Sequence, residues 1–308
     1  MGFNIRPETV ADYAAIAAVN ARAFNFKGSE PLMVALARHR SSFDPELSLV
    51  VEVDGRVVGH ALFTRQVIRL LNDDLPAVLL GPIAVDPAYQ DQGFGGALIV
   101  EGHNVARAKG YTLSFLVGHP SYYPRFGYRM NVFGVSHVTV VSVGEPPLQT
   151  RFPTDADIPV LSELWLHEEG GVDFAIHPGN DFMDWSFTNP LVLPSVYLRD
   201  GEIVGYARIQ HNEPLKPRLF LARDVDAARA MVNTIAGAAG REVTLPLHPY
   251  SASASAFDTK PTAHAWDAAM AHRLADGPFD EFVARLEFKQ RLPGRPIWPV
   301  MFDVENAP

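Results

Sequence analysis

A pattern repeated at a fixed spacing constrains the fold of this chain more than any other feature. The segment LVVEVDGRVVGHALFTR in the first half can be laid over SVYLRDGEIVGYARIQ in the second half. The matched positions are Pro7 with Pro153, Asp54-Gly55 with Asp200-Gly201, and Gly59 with Gly205, all at an offset of 146 residues. A shared offset favours a tandem duplication. The alternative is two unrelated α/β domains that share a common hairpin.

Apolar patterns in both halves alternate between helical and extended periods. ETVADYAAIAAVNARAF has the spacing of an amphipathic helix, and each Asp-Gly pair is typical of a tight hairpin. AVLLGPIAV predicts a further strand that bulges or splays at Gly81-Pro82, because proline cannot donate to a central ladder. We therefore expect an α/β fold with a mixed sheet of α+β character. A chain of 308 residues suggests two domains, and a proline-rich segment near residue 145 predicts them at 1–145 and 146–308.

The segment YQDQGFGGAL follows that splayed strand and opens a predicted helix. Glycines at such a junction expose backbone N–H groups at the positive end of the helix dipole, which makes an anion site. The segment lacks the Gly-Lys-Ser/Thr of a P-loop and the spacing of a Rossmann fingerprint. It matches Gln/Arg-x-x-Gly-x-Gly/Ala at Gln90, Gly93 and Gly95. The alternative is that the glycines only allow a helix to pack closely on the sheet.

Together with its surroundings, this segment resembles the GCN5-related N-acetyltransferase (GNAT) superfamily. The resemblance covers residues 3–140 and includes GPIAVDP, the glycine segment and YYPRFGY, which is similar to the family ending Tyr-x-x-x-Gly-Phe/Tyr. It implies tandem GNAT folds, of which the first is intact. The second half has no glycine cluster and is expected to be a degenerate copy. This arrangement is similar to the tandem acetyltransferase part of the enhanced intracellular survival proteins, although too few residues follow for their sterol-carrier-like third domain.

The resemblance implies acetyl-CoA as the acyl donor. Backbone groups of the splayed strand would contact the pantetheine arm like an added strand, and backbone N–H groups of the loop would bind the pyrophosphate. The strand residues are Ile83, Ala84 and Val85, and the loop residues are Gln90, Asp91, Gln92, Gly93, Phe94, Gly95 and Gly96. Two glutamines of this loop stand where the family often has Arg or Lys, so binding would depend more on the backbone than on side-chain charge.

The absence of cysteine excludes a cysteine acyl-enzyme and favours direct attack by an amine in a ternary complex. The N–H of Val85 would polarise the thioester, and the resemblance makes Tyr123 the general acid, since a phenol is protonated at neutral pH. The alternative for Tyr123 is a packing aromatic, and packing is the favoured interpretation for Tyr122. The general base is left open between His119, Glu30, Glu52 and a chain of water molecules.

The acceptor is expected to be the primary amine of a small molecule. Phe24, Phe26 and Glu30 would line its pocket beside the loop NFKGSEP, although a solvated loop explains the same residues. The second domain would close the acceptor side of the cleft or form a dimer surface, so the chain could be a homodimer. Four tryptophans are expected in the core or an interface: Trp165, Trp185, Trp266 and Trp298.

Composition excludes several other classes of protein. A net charge of -9 disfavours nucleic-acid binding, and no apolar run or signal core predicts contact with a membrane, so a cytoplasmic protein is expected. The histidines lack metal-ligand spacing, so no metal is expected. Two functions of other classes stay open: an acyl-CoA-binding sensor without turnover, and a non-catalytic interaction protein on a duplicated GNAT fold.

Overall fold

The computed structural model describes residues 2–26, 28–186 and 191–295. The chain divides into two compact units, each built from two segments. The first unit comprises Met1–Val132 and Asp267–Arg285, and the second comprises Phe133–Trp266 and Leu286–Pro308. The predicted core residue Trp298 lies outside the described residues.

Strands and helices alternate along the described chain, as the sequence patterns predict. In chain order they are β1 Phe3–Pro7, α1 Tyr13–Ala23, α2 Ser29–Ala37, β2 Ser48–Val53, β3 Arg56–Leu70, β4 Asp73–Val85, α3 Phe94–Ala108, β5 Leu113–Val117, β6 Gly134–Val141, β7 Gln149–Arg151, α4 Ile158–Glu169, β8 Phe174–Ile176, α5 Phe182–Trp185, β9 Val192–Arg199, β10 Glu202–Gln210, β11 Leu219–Ala222, α6 Val225–Ala236, β12 Glu242–Leu245, β13 Thr262–Ala265, β14 Ala269–Arg273 and α7 Phe279–Glu287. The mixed α/β class is therefore confirmed.

The sheet of the first unit has the strand order β1-β2-β3-β4-β5-β14. Only the β4–β5 pair is parallel along this path. That pair extends only from Ala77 to Leu79 on β4, opposite Leu113 to Phe115 on β5. Beyond this point β4 pairs with β3 alone, and β5 pairs with β14. The two parallel strands therefore separate, and their separation opens a gap in the sheet.

The register of β4 shifts at the predicted dipeptide Gly81-Pro82. Ala61 of β3 lies opposite Ile83, whereas Phe63 lies opposite Leu80, so two residues of β4 have no partner in the ladder. Proline lacks an N–H to donate, which explains a bulge at this position. The prediction of a bulged and splayed strand is confirmed.

Helices cover the two faces of this sheet. On one face, α3 buries Leu98, Ile99 and Ala106 against the strands. A Cβ on Gly102 of α3 would come within 2.1 Å of the Phe63 ring, so this glycine allows the close approach of helix and sheet. On the other face, α1 buries Ile16 and Val19, and Asn20 contacts His60 of β3 at 3.3 Å.

The second unit contains two smaller sheets, with the orders β11-β10-β9-β7 and β12-β6-β13. Its two main helices, α4 and α6, bury apolar side chains that include Leu161, Trp165 and Met231. Trp185 is also fully buried, and Trp266 is 9% exposed, so three of the predicted core tryptophans lie inside the protein.

The units exchange strands relative to the sequence-based division at residue 145. β6 belongs by its sequence position to the first predicted domain, but it pairs with β12 and β13 of the second unit. β14 lies near the end of the chain, but it pairs with β5 of the first unit. The compact units therefore change over at residues 132–133, 266–267 and 285–286 rather than at 145.

Two local structures recur in both units. Each first helix is preceded by a capping box, formed by Thr9 with Asp12 in one unit and by Thr154 with Asp157 in the other. An arginine binds each box aspartate through both of its carboxylate oxygens. These boxes are 145 residues apart, so at this offset Pro7 aligns with Phe152 and not with Pro153, and the offset of 146 holds for the hairpins. Both Asp-Gly hairpins have positive φ angles at both turn residues.

The beginnings of α3 and α6, however, differ. Gly93 is the N-cap residue of α3 and has a φ of 85°. No side chain caps this end of the helix by a hydrogen bond. Asp224 precedes α6, and its carboxylate accepts the N–H of Ala227 at 2.7 Å. A carboxylate at this position stabilises the helix dipole and uses an N–H that an external anion would need.

Candidate active site

The splayed strands, the glycine loop and the segment after β5 enclose one cleft in the first unit. Its volume is about 860 Å³. The side chains and backbone that line it are those of Ile83, Val85, Tyr89, Gln90, Asp91, Gly93, Phe94, Gly95, Gly96, His119, Tyr122, Tyr123, Arg125 and Phe126. The structure thus brings together most of the residues predicted to bind the acyl donor and to catalyse its reaction.

Backbone groups of β4 face this cleft at alternate residues. The N–H of Asp86 donates to the carbonyl of Val58 on β3 at 2.8 Å. Because bonded and non-bonded positions alternate in an antiparallel pair, Ala84 also bonds to β3, whereas the N–H and C=O of Ile83 and Val85 point away from it. β5 has diverged at this level, so the backbone groups of Ile83 and Val85 border the cleft.

Because the direction of the β4 backbone groups alternates, those of Ala84 point to β3, whereas those of Ile83 and Val85 point to the cleft. The side chain of Ala84 is 3% exposed and lies outside the cleft lining. Ala84 therefore has no open backbone group with which to make the predicted contact to the pantetheine arm. The side chain of Gln90 donates to the carbonyl of Val85 at 3.1 Å, which leaves the N–H of Val85 as the open donor.

The three positions of the loop require glycine for different structural reasons. Gly93 has a φ of 85°, a conformation that an L-residue adopts only with strain. A Cβ on Gly95 would lie 2.8 Å from the Tyr122 hydroxyl oxygen, and a Cβ on Gly96 would lie 3.1 Å from the Phe126 ring. Packing therefore explains Gly95 and Gly96, and the backbone turn explains Gly93.

The start of α3 nevertheless retains the features of an anion site. The first intrahelical acceptor at this end is the carbonyl of Gly93, which accepts the N–H of Ala97 at 3.0 Å. The N–H groups of the residues between them have no earlier carbonyl within the helix to donate to. They lie at the positive end of the dipole and border the cleft, so the site fits the phosphates of a nucleotide-containing substrate.

Tyr123 lies at the inner wall of the cleft, where the 3₁₀ helix Tyr123–Phe126 begins. Its ring is packed edge-on against Tyr122, with ring centroids 5.1 Å apart, and it covers Gly118. Burial raises the pKa of Tyr123 to about 12, and the neighbouring Tyr122 adds to that shift. Within the described residues its hydroxyl makes no hydrogen bond. Because the pKa is this high, the phenol is protonated at neutral pH, and it can donate to a group bound in the cleft.

Tyr128 supports Tyr123 from behind, with the two rings edge to face at 5.9 Å. The hydroxyl of Tyr128 is bonded to Ser114 at 2.7 Å and to His103 at 3.0 Å. Burial lowers the pKa of His103 to about 3, so this histidine is neutral. The network is buried and fixes Tyr128, and through it the position of the Tyr123 ring.

His119 is exposed on the cleft wall, where its carbonyl accepts the N–H of Tyr122 at 3.0 Å. The other base candidates lie elsewhere: Glu52 forms an ion pair with Arg6 at 2.9 Å, and Glu30 is in the first turn of α2. The predicted acceptor residues Phe24 and Phe26 do not line the cleft either, and Phe26 is 79% exposed. Among the loop residues, Gln92 is also outside the lining.

The lining includes residues that sequence reasoning did not assign to the site: Tyr89, Arg125 and Phe126, together with Tyr122, which was interpreted as a packing residue. Arg125 and Phe126 lie within YYPRFGY itself, so their place in the motif was a usable signal. Tyr89 is the first residue of YQDQGFGGAL and adjoins Gln90, so its place in that segment was a usable signal as well.

Comparison with known proteins identifies the family. A family model described as an acetyltransferase (GNAT) domain matches residues 4–131. The chain is 39% identical to the uncharacterized N-acetyltransferase YjhQ of Escherichia coli (strain K12) over 118 residues, which are 38% of this chain and 65% of YjhQ. It is 32% identical to the uncharacterized N-acetyltransferase YhbS of the same strain over 127 residues, 41% of this chain and 73% of YhbS. The chain belongs to the GNAT acetyltransferase family.

The matched part of this GNAT protein is the first segment of the first unit, which carries the cleft. Its match spans slightly less than two thirds of YjhQ. A likeness in fold extends further. The crystal structure of a GCN5-related N-acetyltransferase from Kribbella flavida gives a TM-score of 0.70 at 17% identity, covering 89% of this chain and 72% of that chain. At this identity the likeness concerns the fold alone.

The described residues of this GNAT protein also bear on two other classes of site. No group of three or more His, Cys, Asp or Glu side chains among them could hold a metal ion. No helix in the same part of the chain has the length and apolar character needed to cross a bilayer.

Proposed function

We propose that the protein transfers the acetyl group of acetyl-CoA to a primary amine of a small molecule by direct attack in a ternary complex. The observation that carries this proposal is the joint position of two groups in one cleft. The open N–H of Val85 and the unbonded hydroxyl of Tyr123 both border the gap between β4 and β5. Membership of the GNAT family supports the same chemistry.

The backbone of β4 has the role of binding and polarising the donor. The open groups of Ile83 and Val85 offer an extended chain the hydrogen bonds of an added strand. The N–H of Val85 can donate to the thioester carbonyl oxygen and stabilise the negative charge that develops there during attack. The start of α3 binds the phosphates of the donor through backbone N–H groups.

Tyr123 has the role of general acid. As the new C–N bond forms and the C–S bond breaks, its hydroxyl donates a proton to the departing sulfur, and the proton that the attacking nitrogen loses as it becomes an amide restores the phenol. Burial raises the pKa of Tyr123 to about 12, so the proton is retained throughout the neutral range. The same desolvation raises the basicity of a thiolate beside it, which keeps donor and acceptor matched.

A base must take a proton from the acceptor ammonium before the attack. The imidazole of His119 lines the cleft wall and can do this directly or through water. The residues Phe24, Phe26 and Glu30 remain predictions for the acceptor pocket. No observation ties them to the cleft.

We also propose that the second unit is a degenerate copy of the first. The shared capping boxes and hairpins support a common origin. Asp224 supplies a physical reason for lost donor binding, because its carboxylate uses an N–H at the start of α6 and repels phosphate. Closure of the cleft or dimerisation remain predictions for the role of this unit.

The test begins with the thermal stability of the protein at increasing acetyl-CoA concentrations, followed by thiol release with a panel of amines. We expect stabilisation by acetyl-CoA and turnover with at least one amine. Tyr123→Phe should lower kcat by about 10²- to 10⁴-fold, the range for a general acid, while acetyl-CoA binding is retained. Tyr122→Phe is the matched control and should retain most of kcat. No stabilisation at saturating acetyl-CoA would refute the proposed function, and full activity of Tyr123→Phe would refute the role of Tyr123.

A further inference from the structure

Few charged side chains line the cleft. Within the described residues, the charged or titratable groups of its lining other than tyrosines are Asp91, His119 and Arg125. Arg125 is the permanent cation among them. The glycine loop contributes a carboxylate and no cation, and the whole chain has a net charge of -9. A polyanionic donor therefore meets one fixed positive side chain in this cleft.

Arg125 is held in place by one hydrogen bond and by the rings of Tyr122 and Phe126. Its Nε donates to the carbonyl of Tyr122 at 3.2 Å, and its guanidinium carbon lies 4.5 Å above the centre of the Tyr122 ring. The residue is exposed, and it forms no ion pair with any part of the chain that the structure describes. Its two terminal amino groups thus present the planar fork that matches two oxygens of a phosphate.

Tyr122 connects this cation to the glycine loop. The ring that lies beneath the guanidinium ends in a hydroxyl that is directed at Gly95 in the first turn of α3. Arg125, the Tyr122 ring and the start of α3 therefore form a continuous wall of the cleft. The backbone N–H groups of the helix start and the guanidinium of Arg125 therefore border the same cleft.

We propose that Arg125 binds a phosphate group of the acyl-CoA donor and supplies the positive charge that the Gln90–Gly96 loop lacks. This inference rests on the proposed function, because it takes a CoA ester as the donor. CoA carries phosphate at two places, the pyrophosphate and the 3′-phosphate of the ribose. The chemistry of recognition is the same for both, and the experiment distinguishes them.

The experiment measures dissociation constants by calorimetry, and by NMR titration for the weakest ligand, on the full chain. The ligands are CoA, dephospho-CoA, which lacks the 3′-phosphate, and pantetheine, which has no phosphate. The variants are Arg125→Gln, Arg125→Lys and the control Arg56→Gln. The control removes the same charge from an exposed residue at the start of β3, outside the cleft.

We expect Arg125→Gln to weaken CoA binding about tenfold or more, because it removes charge-assisted hydrogen bonds to phosphate. Arg125→Lys should retain part of the affinity, and Arg56→Gln should bind CoA as the wild type does. Pantetheine should bind equally to all variants. A loss that persists with dephospho-CoA assigns Arg125 to the pyrophosphate, and a loss that disappears assigns it to the 3′-phosphate.

Two results would overturn the inference while leaving the proposed function intact: unchanged CoA binding by Arg125→Gln, or an equal loss for CoA and pantetheine. The second result would show that Arg125 only supports Tyr122. Absence of CoA binding by the wild type would instead remove the proposed function itself, and with it this inference.

Discussion

Gly118 determines where the Tyr123 ring can lie, and its substitution by alanine tests the role of that tyrosine without altering it. A Cβ on Gly118 would lie 2.1 Å from Cε2 of Tyr123 and 3.0 Å from its Cζ. Ordinary carbon–carbon contacts are about 3.5–4.0 Å, so the two must separate by about 1.5 Å. The backbone of Gly118 is fixed by its hydrogen bond to Ala268 at 2.9 Å, so the ring moves.

The expected magnitudes follow from this displacement. A catalytic group misplaced by about 1 Å costs on the order of 10²-fold in rate, and the overpacking itself costs about 1–3 kcal/mol of folding free energy. We expect kcat of Gly118→Ala to fall about 10²-fold, with little change in the dissociation constant for acetyl-CoA. The assays are thiol release at saturating substrates, calorimetric titration and unfolding in urea.

Two further variants make the test specific. Gly277→Ala is the control, because a Cβ there meets no atom within 4 Å, and it should behave as the wild type does. The double variant Gly118→Ala/Tyr123→Phe should be no slower than Tyr123→Phe alone, since both changes remove the same proton donor. Losses that multiply in the double variant, or unchanged kcat in Gly118→Ala, would refute the reasoning.

Three other predictions concern single residues. Gly93→Ala should cost about 1–2 kcal/mol in urea unfolding and weaken acetyl-CoA binding, because alanine is strained at a φ of 85°; unaltered binding would show that the loop tolerates another conformation. Hydrogen bonds from Arg151 lower the pKa of Asp157 to about 2. Since the unfolded value is about 3.9, this ionised carboxylate stabilises the fold above that pH and loses its effect as the pH falls towards 2. The gap in urea midpoint between wild type and Asp157→Asn should therefore narrow as the pH is lowered from 5 to 2, and a constant gap would contradict the assignment. Asp224→Ala should cost about 1 kcal/mol through the lost helix cap and leave the dissociation constant for acetyl-CoA unchanged; weaker binding would place a donor contact in the second unit.

The local features of the fold were accessible from the sequence because each has a short-range physical cause. Asp54-Gly55 forms the predicted hairpin because both residues adopt positive φ angles. Gly81-Pro82 marks the bulge because proline cannot donate to the ladder. The glycine loop and the Tyr123 segment meet in one cleft because one follows β4 and the other follows β5, the two strands that separate.

Other features depend on contacts that a linear pattern does not encode. The alternation that directs Ala84 to β3, and Ile83 and Val85 to the cleft, is set by the register of the β3–β4 pair. That register becomes visible only once the partner strand is known. Arg125 stands within YYPRFGY, but its position over the Tyr122 ring results from side-chain packing, which the motif does not encode. The exchange of β6 and β14 joins segments more than 100 residues apart, and a five-residue strand carries too little pattern to indicate its partner.

The position of β14 has a consequence for how the protein is made. During synthesis the chain emerges from its N-terminus, and β5 is complete long before Ala269–Arg273 exists. Until that late segment arrives, one edge of β5 has no hydrogen-bonding partner, and an open strand edge invites pairing with other chains. The cleft that carries Tyr123 is thus bordered by a strand whose β14 partner is made only after residues 118–268 have been translated.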